Sequence, residues 1–445
     1  MSSFAATRRA LGRVLSARHS PFPGVETLSQ ALDRVVRTVA RNPQEKDEFS
    51  TLMKRGAFLP AGRTLLSADP VVKAVIPNCA VVPPTIKAFE SFMRHTTGLG
   101  TCLNSIHPGS VVSRLEQLCN VPVADATGRK PGVMATLHWA HPDAAALVDA
   151  KAANPDGALS NANISLIVPA NEWETFRGSP IFDLSVRAAW ACGDPGLLLS
   201  PNHQTAAATS PCGELWLTPW EVCTLGNLHL PALTNTMGEL DMAQVRSATR
   251  SATKFLDAVV DSLRFPCLDA QKATAFHRRV GLGVMGWADV LQGMGIPYDS
   301  NDALALAEST SWNMRSAAQQ ESTETGRRHG KEGMQNSTVL ALAPTGGTSS
   351  LFRASYSIEP HFKDAHSISS DAHLRMLAAW QRHVDNGVSK TVNLPSHATE
   401  GDVAGVFDTA HALGVKGVTV YRDGCRHAQP LAVGTKANCE ECVAI

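Results

Sequence analysis

The chain has 445 residues, and its 40 Lys and Arg residues balance its 40 Asp and Glu residues, so the formal net charge is zero. Zero net charge argues against a nucleic-acid-binding protein, because polyanion binders usually carry a basic surplus. Hydrophobic residues make up 44% and charged residues 18% of the chain, which excludes an intrinsically disordered protein, and no apolar run reaches the roughly 18 residues that cross a bilayer.

The cysteine content predicts a reduced, cytosolic chain. Ten cysteines in 445 residues are too few for a disulfide scaffold. They are therefore expected to be core residues, metal ligands or catalytic thiols. Four arginines precede the first acidic residue, Glu26, which is a pattern shared by organelle transit peptides. We favour an ordinary amphipathic first helix for this segment.

The predicted elements alternate between helices and strands along the chain. Apolar residues at helical spacing predict a helix over 28–58, and the proline-punctuated stretch 59–83 predicts short strands with turns. Further helices are predicted over 85–97, 143–152, 241–263, 302–327 and 402–413, and strands over 164–168, 339–342 and 418–421. This alternation indicates an α/β fold.

The most informative segment is Ser210-Pro-Cys-Gly-Glu214, which is followed by a second thiol at Cys223. Cys212 stands between Pro and Gly, which predicts a tight loop. A negative charge raises the pKa of a neighbouring thiol, so Glu214 makes Cys212 a poor thiolate nucleophile. The pair suits a sulfur that carries a hydrogen atom while the carboxylate handles a substrate proton. Two buried structural cysteines beside a surface Glu are the alternative, because free Cys is often a small core residue.

Three further cysteines complete the set of candidate thiols. Cys79 lies in an apolar run typical of a strand, and on its own it is interpreted as a core residue. Cys439 and Cys442 form a Cys-x-x-Cys pair, which is either half a zinc site or a redox dithiol. Zinc needs two more ligands at fixed spacing, and the nearest histidine, His427, does not supply them. No metal site is therefore predicted, and we favour a tethered dithiol that reduces a disulfide by exchange.

Two glycine-containing segments are candidates for nucleotide binding. Thr345-Gly-Gly-Thr348 follows the buried run 339–342, and its backbone N–H groups and hydroxyls can cradle a phosphate, although an ordinary turn is the alternative. Gly281-Leu-Gly-Val-Met-Gly286 has the spacing of a dinucleotide-binding fingerprint. No buried strand is predicted before it, so we interpret these glycines as sites of close helix packing.

Together these segments resemble the catalytic subunit of ribonucleotide reductase, and in particular its adenosylcobalamin-dependent class II form. The resemblance runs from about residue 59 to the C-terminus. It rests on many ordered motifs: Gly98-Leu-Gly-Thr-Cys-Leu-Asn-Ser105, Arg129-Lys-Pro-Gly132, His141-Pro-Asp143, Asn161-Ala-Asn-Ile-Ser165, Gly193-Asp-Pro-Gly196, Pro211-Cys-Gly-Glu214, Gly281-Leu-Gly-Val-Met-Gly-Trp-Ala-Asp289, Ala343-Pro-Thr-Gly346, Val384-Asp-Asn386, Val388-Ser-Lys-Thr-Val-Asn-Leu-Pro395 and Gly417-Val-Thr-Val-Tyr-Arg-Asp-Gly424.

The resemblance implies a ten-stranded α/β barrel of two five-stranded halves, with a finger loop that carries the radical cysteine into its centre. Cys212 would become a thiyl radical and abstract the ribose 3′ hydrogen, while Glu214 would act as general base on the 3′-OH. The family usually has Asn two residues before the radical cysteine, where this chain has Ser210. Serine keeps a donor and an acceptor but is shorter, which implies altered hydrogen bonding to the ribose.

The resemblance also assigns the remaining thiols and the substrate contacts. Cys79 and Cys223 would form the reducing pair, help to protonate the leaving 2′-OH and end as a disulfide. Cys439 and Cys442 would reduce that disulfide and pass the electrons on to thioredoxin or a glutaredoxin-type donor. The residues that match substrate-contacting positions, the last four of them in the phosphate loop, are Thr64, Asn78, Thr345, Gly346, Gly347 and Thr348.

The tyrosine pattern bears on the source of the radical. Class I subunits receive the radical from a second protein through two adjacent tyrosines near the C-terminus, and here Tyr421 stands alone at that position. The resemblance therefore implies adenosylcobalamin as the cofactor. Three alternatives stay open: a class I-type subunit that needs a radical-generating partner, a nucleotide-binding paralogue without reductase activity, and an enzyme with a different radical chemistry on a nucleotide.

The expected organisation is a helical N-terminal region at 1–58, a barrel domain at 59–428 and a flexible tail with the redox pair at 429–445. The stretch from 105 to 129 is shorter than the family norm, and no ATP-cone-like domain fits before residue 59. Reduced control by nucleotide effectors is therefore expected. Family habit favours diphosphate substrates, and we expect a monomer or homodimer in the cytoplasm that binds neither nucleic acid nor membrane.

Overall fold

The computed structural model describes residues 26–425 except 94–95, 97, 122–131, 201–207, 362–363 and 366. The arginine-rich segment before Glu26 and the predicted dithiol of Cys439 and Cys442 lie outside the described residues. Among the helices of the described part, none has both the length and the apolar composition that a bilayer span requires.

Helices and strands alternate along the described chain. The α-helices are α1 Leu28–Val39, α2 Pro43–Lys54, α3 Gly62–Ser67, α4 Ile86–Met93, α5 Val111–Cys119, α6 Ala144–Ala153, α7 Trp173–Arg177, α8 Pro180–Cys192, α9 Met242–Asp261, α10 Leu268–His277, α11 Trp287–Gly293, α12 Asn301–Arg328, α13 Gly346–Phe352, α14 Ser370–Gln381 and α15 Glu400–Ala412. The strands are β1 Phe58–Pro60, β2 Cys79–Val81, β3 Gly98–Cys102, β4 Gly132–His138, β5 Ala162–Pro169, β6 Gly196–Ser200, β7 Ala208–Thr209, β8 Trp216–Leu217, β9 Leu225–His229, β10 Gly281–Met285, β11 Thr391–Leu394 and β12 Gly417–Arg422.

The single helix predicted over 28–58 is wrong, because the segment forms two helices. The Asn42 side chain accepts a hydrogen bond from the backbone N–H of Glu45, and Pro43 occupies the first turn of α2. An N-cap followed by proline begins a new helix, since proline has no N–H to continue the preceding one. The stretch 59–83 also differs from its prediction of strands and turns, because it contains the short helix α3.

Aromatic packing joins the N-terminal helices to the long helix α9. The ring of Phe255 contacts Phe49 of α2 edge-on, with centroids 5.2 Å apart, and lies 5.4 Å from the ring of Phe58. The guanidinium of Arg41 donates to the buried Asp257 carboxylate over 3.1 Å. Buried aromatic pairs of this kind contribute about 0.5–1.5 kcal/mol beyond their area. The helices before residue 58 therefore pack directly on the element that supports β9.

The largest sheet has seven strands in the order β11-β12-β6-β5-β4-β3-β2. Strands β2 to β6 run parallel to one another, and β12 pairs antiparallel with β6. In β5, Ile164, Leu166 and Val168 are buried on one face, while Asn163 is exposed on the other. The sheet therefore has one face packed in the core and one face turned toward the loop described below.

The other strands form a three-stranded sheet, β1-β9-β10, and a two-stranded hairpin, β7-β8. Isolated bridges extend the three-stranded sheet: Leu340 pairs with Leu282 of β10, and Leu342 pairs with Val388. A further antiparallel bridge joins Ala80 of β2 to Val222 just before β9. The hydrogen-bonded ladders of the described residues thus give sheets of seven, three and two strands rather than one ten-stranded sheet.

The interpretation of the Gly281–Gly286 motif as close helix packing is wrong. Gly281 and Gly283 lie on the buried strand β10, and Gly286 is the N-cap residue of α11. A Cβ on Gly281 would lie 2.6 Å from a Leu225 side-chain carbon, and one on Gly283 would lie 2.8 Å from the carbonyl oxygen of Ala341. The motif lets β10 approach its neighbouring strands closely.

The β7-β8 hairpin carries a turn at residues 210–215, named here the finger loop. Its apolar flanks, Leu215 and Leu217, pack with Leu225 and Ala341 in a small cluster separate from the main core. On β3, Gly100 leaves no room for a side chain, because an added Cβ would overlap the carbonyl oxygen of Thr209. The hairpin is therefore seated on strand backbone.

We expect Gly100→Ala to destabilise the protein, because the added methyl group must displace the backbone of the hairpin. Overpacking of this kind costs about 1–3 kcal/mol of unfolding free energy, which urea denaturation measures. Gly405→Ala is the matched control, since Gly405 is exposed within α15 and no atom lies within 4 Å of the added Cβ. Equal stability of Gly100→Ala and the wild type would contradict this packing.

Candidate active site

The finger loop places Cys212 at the tip of a tight turn, as the Pro-Cys-Gly sequence predicts. The backbone N–H of Ser210 donates to the carbonyl of Leu215 over 2.9 Å, and that of Gly213 donates to the carbonyl of Ser210 over 2.9 Å. Gly213 has φ +77°, which is a conformation that glycine adopts without strain. The turn leaves the Cys212 side chain half-buried.

Glu214 is buried, and its carboxylate bonds to a side chain of its own loop. The hydroxyl of Ser210 donates to Oε2 of Glu214 over 2.6 Å, and the N–H of Leu215 donates to the same hydroxyl over 3.1 Å. Burial raises the pKa of Glu214, while the hydrogen bond from Ser210 opposes that rise by favouring the ionised form. The structure thus places Ser210 and Glu214 in direct contact.

The surroundings of Cys212 favour the protonated thiol. Burial raises the pKa of Cys212 well above its usual value, and negative charge on Glu214 or Cys79 raises it further. A thiolate is the reactive form for nucleophilic attack, so this site disfavours that chemistry. The site instead favours a thiol that keeps its S–H bond.

Backbone pairing brings Cys79 and Cys223 together, although 144 residues separate them in sequence. The N–H of Cys223 donates to the carbonyl of Cys79 over 2.8 Å. The N–H of Cys79 in turn lies 2.9 Å from the sulfur of Cys223. Cys223 shares a small apolar cluster with Leu215 of the finger loop, and Cys79 packs against that cluster. The charge of Cys79 is also close enough to raise the pKa of Cys212. The three thiols and the carboxyl group of Glu214 thus lie in one region.

The predicted substrate-contacting residues Thr64 and Asn78 lie beside this cluster. Thr64 is buried on α3, and Asn78 is buried directly before β2. The side-chain oxygen of Asn78 accepts from the backbone N–H of Arg63 over 3.2 Å. The N–H of Ala61 donates to the carbonyl of Leu225 over 3.0 Å, which fixes α3 against the start of β9.

The predicted phosphate loop forms the beginning of α13. Thr345 adopts φ +63°, and its hydroxyl is used internally, since it accepts from the N–H of Ser357 over 2.8 Å and pairs with the hydroxyl of Ser349. The hydroxyl of Thr348 donates to the carbonyl of Thr345 over 3.1 Å. The half-exposed backbone of Gly346 and Gly347 in the first helical turn is therefore better placed to meet a ligand than the two hydroxyls are.

Two contacts of the finger loop were not predicted from the sequence. A Cβ on Gly387 would overlap the carbonyl oxygen of Gly213, and the N–H of Gly387 donates to the carbonyl of Glu214 over 2.8 Å. The side-chain amide of Asn163 donates to the carbonyl of Pro211 over 3.3 Å. These pairs lie far apart in sequence, and spacing alone gives no signal for them. Among the described residues, no group of three or more His, Cys, Asp and Glu side chains could hold a metal ion.

Comparison with protein families gives a match to the model described as "Ribonucleotide reductase, barrel domain", over residues 174–332 and 358–421. The chain belongs to the ribonucleotide reductase family. The match includes the finger loop, the region of Cys223 and strands β9 to β12.

Relatives match along most of the chain. A vitamin B12-dependent ribonucleoside-diphosphate reductase of Mycobacterium tuberculosis is 28% identical, over 92% of this chain and 77% of the relative. A protein of the same name from Thermoplasma acidophilum is 28% identical, over 87% of this chain and 66% of the relative. The α subunit of the class Id ribonucleotide reductase of Actinobacillus ureae has the same fold, with a TM-score of 0.78 at 19% identity, over 92% of this chain and 96% of that subunit.

Removing the Ser210 hydroxyl should raise the pKa of the Glu214 carboxyl further. Ser210→Ala deletes a hydrogen bond that favours the ionised form, while the burial that favours the neutral form remains. Isotope-edited infrared titration, with Glu214→Gln to assign the band, measures the change. Ser91→Ala removes a hydroxyl that bonds within α4 and should leave the carboxyl band unchanged. An unchanged or lower pKa of Glu214 in Ser210→Ala would show that this hydrogen bond does not set its ionisation.

Proposed function

We propose that this protein reduces ribonucleotides, with diphosphates as the favoured substrates, to 2′-deoxyribonucleotides by a thiyl-radical mechanism that depends on adenosylcobalamin. The observation that carries the proposal is the assembly of Cys212, Glu214, Cys79 and Cys223 around the finger loop. The relatives named vitamin B12-dependent reductases support it, because they match along most of the chain. The protein would thus be an oxidoreductase of deoxyribonucleotide synthesis.

Cys212 supplies the hydrogen-atom chemistry in this proposal. As a thiyl radical it would abstract the 3′ hydrogen of the ribose and return a hydrogen atom to C3′ at the end of the reaction. The raised pKa of Cys212 supports this role, because hydrogen-atom transfer from sulfur needs the protonated thiol. Glu214 would take the proton of the 3′-OH, and Ser210 would hold the carboxylate for that step.

Cys79 and Cys223 supply the two electrons of the reduction. Their thiols would deliver the protons and electrons that release the 2′-OH as water, and the two sulfurs would end joined as a disulfide. The balance is one ribonucleotide and two thiols giving one deoxyribonucleotide, one disulfide and one water. The mutual hydrogen bonding of the two cysteines supports the assignment, because it keeps their backbones adjacent.

The chemistry of the finger loop fits adenosylcobalamin as the cofactor. When bound, adenosylcobalamin would supply the homolytic chemistry that takes the hydrogen atom from the Cys212 sulfur. Cys212 meets the requirement of that chemistry, since it is half-buried at the tip of its loop and keeps its S–H bond. Glu214 beside it would remain available for the substrate proton.

Substrate binding is proposed at the phosphate loop and beside the reducing thiols. The backbone N–H groups of Gly346 and Gly347 would bind the phosphates together with Thr345 and Thr348, as helix N-terminal amides commonly do. Thr64 and Asn78 would contact the nucleotide near the reducing thiols. Their burial beside β2 and β9 supports this placement.

The architecture proposed for catalysis is a ten-stranded barrel with the finger loop at its centre. Three bridges support it: Ala80 to Val222, Leu282 to Leu340, and Leu342 to Val388. They pair β2, β10 and the segment before β11 with residues that lie outside the named strands. We propose the division into a helical region at 1–58, this barrel at 59–428 and a redox tail at 429–445. In the tail, Cys439 and Cys442 would reduce the active-site disulfide and receive electrons from a thioredoxin or glutaredoxin-type protein.

The proposal is tested by anaerobic incubation of the protein with CDP or CTP and dithiothreitol, with and without adenosylcobalamin, scored for deoxycytidine nucleotide. We expect product only when the cofactor is present. Cys212→Ser and Glu214→Ala should abolish turnover and leave nucleotide binding intact. Cys267→Ser, at the N-cap of α10, is the control and should retain turnover. Nucleotide binding without product from either nucleotide would contradict the proposal.

Replacement of the tail cysteine Cys439 tests whether the tail is needed for repeated turnover but not for a single turnover. With thioredoxin as reductant, Cys439→Ser should complete one turnover and then stop, because the active-site disulfide is no longer relayed. Dithiothreitol should restore repeated turnover, since a small thiol reaches the disulfide directly. Rapid-quench counting of product per protein measures both phases. Normal cycling of Cys439→Ser with thioredoxin would show that the tail does not carry the electrons.

A further inference from the structure

Asn163 occupies an unusual place for a polar side chain on a central strand. It lies on β5, between β4 and β6 of the seven-stranded sheet, and pairs in register with Met134. Its neighbour Ile164 is buried, whereas Asn163 itself is exposed on the face that meets the finger loop. Side chains alternate between the two faces of a strand, so Asn163 points to the same side as Ser165.

The amide of Asn163 contacts the peptide that directly precedes the radical cysteine of the proposed function. Its Nδ2 donates to the carbonyl oxygen of Pro211 over 3.3 Å. That oxygen belongs to the peptide unit joining Pro211 to Cys212, so its direction fixes the plane from which the Cys212 side chain projects.

The ring of Pro211 is restrained as well. A Cβ on Gly98 of β3 would overlap the ring of Pro211, which shows that the ring rests on strand backbone. The proline ring also fixes its own φ angle. Pro211 is therefore held by its ring on β3 and by its carbonyl on β5, and the second restraint depends on one side chain.

We infer that Asn163 is a positioning residue for Cys212: by holding the Pro211 carbonyl, it sets where the thiol meets the atom from which it takes hydrogen. The inference rests on the proposed radical chemistry of Cys212. Its effect is expected on the chemical step rather than on nucleotide binding, because misplacement of a reacting group by about 1 Å costs on the order of 100-fold in rate.

The informative variant is Asn163→Asp, which keeps the size of the side chain but cannot donate to a carbonyl when ionised. We expect kcat to fall about 10- to 100-fold, with KM for the nucleotide changed by less than about two-fold. Asn163→Gln retains a donor on a longer arm and should recover part of kcat. Asn301→Asp is the matched control, because Asn301 is exposed at the first turn of α12 and accepts from Arg375, as a carboxylate also can.

A second readout needs neither cofactor nor turnover. Alkylation of Cys212 by iodoacetamide, followed by peptide mass spectrometry in the protein without ligands, should be several-fold faster in Asn163→Leu than in the wild type. Leucine has a similar size but no donor, so the loop loses a restraint without gaining a charge that would raise the pKa of the thiol. Thermal melting of each variant shows that the difference is local. The alkylation rate can be measured even if the wild type forms no deoxynucleotide. Absence of deoxynucleotide would contradict the proposed function and not the positioning role of Asn163.

Wild-type kcat in Asn163→Asp together with a wild-type alkylation rate in Asn163→Leu would overturn the inference. A raised KM with unchanged kcat would also overturn it, since that pattern assigns Asn163 to substrate binding. Slower turnover with unchanged alkylation and no recovery in Asn163→Gln would likewise contradict a positioning role.

Discussion

Close contact between the finger loop and strand backbone is the constraint on which the rest of the site depends. Thr209 meets β3 where Gly100 has no side chain, and Gly213 meets Gly387 in the same way. Interiors are packed at near-crystalline density, so a loop inserted among strands must find such gaps. The glycines supply these gaps. They thereby fix the position of the hairpin relative to Cys79, at the start of β2, and Cys223, just before β9.

Burial of this loop has electrostatic consequences that agree with the chemistry proposed for it. Removal from water favours the neutral forms of both Cys212 and Glu214. For the thiol this is the required state, since a hydrogen-atom carrier needs its S–H bond. For the carboxyl group it is an obstacle, because a base must be ionised, and the hydroxyl of Ser210 provides a compensating hydrogen bond. Ser210 is thus integrated into the loop.

Local features were predictable, and long-range contacts were not. The Pro-Cys-Gly turn and the long helices α9 and α12 follow from residue type and periodicity, which act over a few positions. The break at Asn42 and the buried strand β10 differ from their predictions, because a cap and a set of packing glycines depend on context. The contacts of Asn163 with Pro211 and of Gly387 with Gly213 join segments 48 and 174 residues apart. The family resemblance named the thiols, and only coordinates show what holds them in place.

The central claim is that the Cys212 sulfur takes the hydrogen from C3′ of the ribose. The most direct measurement is the competitive isotope effect on kcat/KM for a nucleotide deuterated at C3′ against the unlabelled nucleotide, under anaerobic turnover with adenosylcobalamin. The account predicts that the 3′-deuterated nucleotide is consumed more slowly, and that Cys212→Ser consumes neither. Equal consumption of the two nucleotides together with an isotope effect at C2′, or turnover that persists in Cys212→Ser, would contradict it.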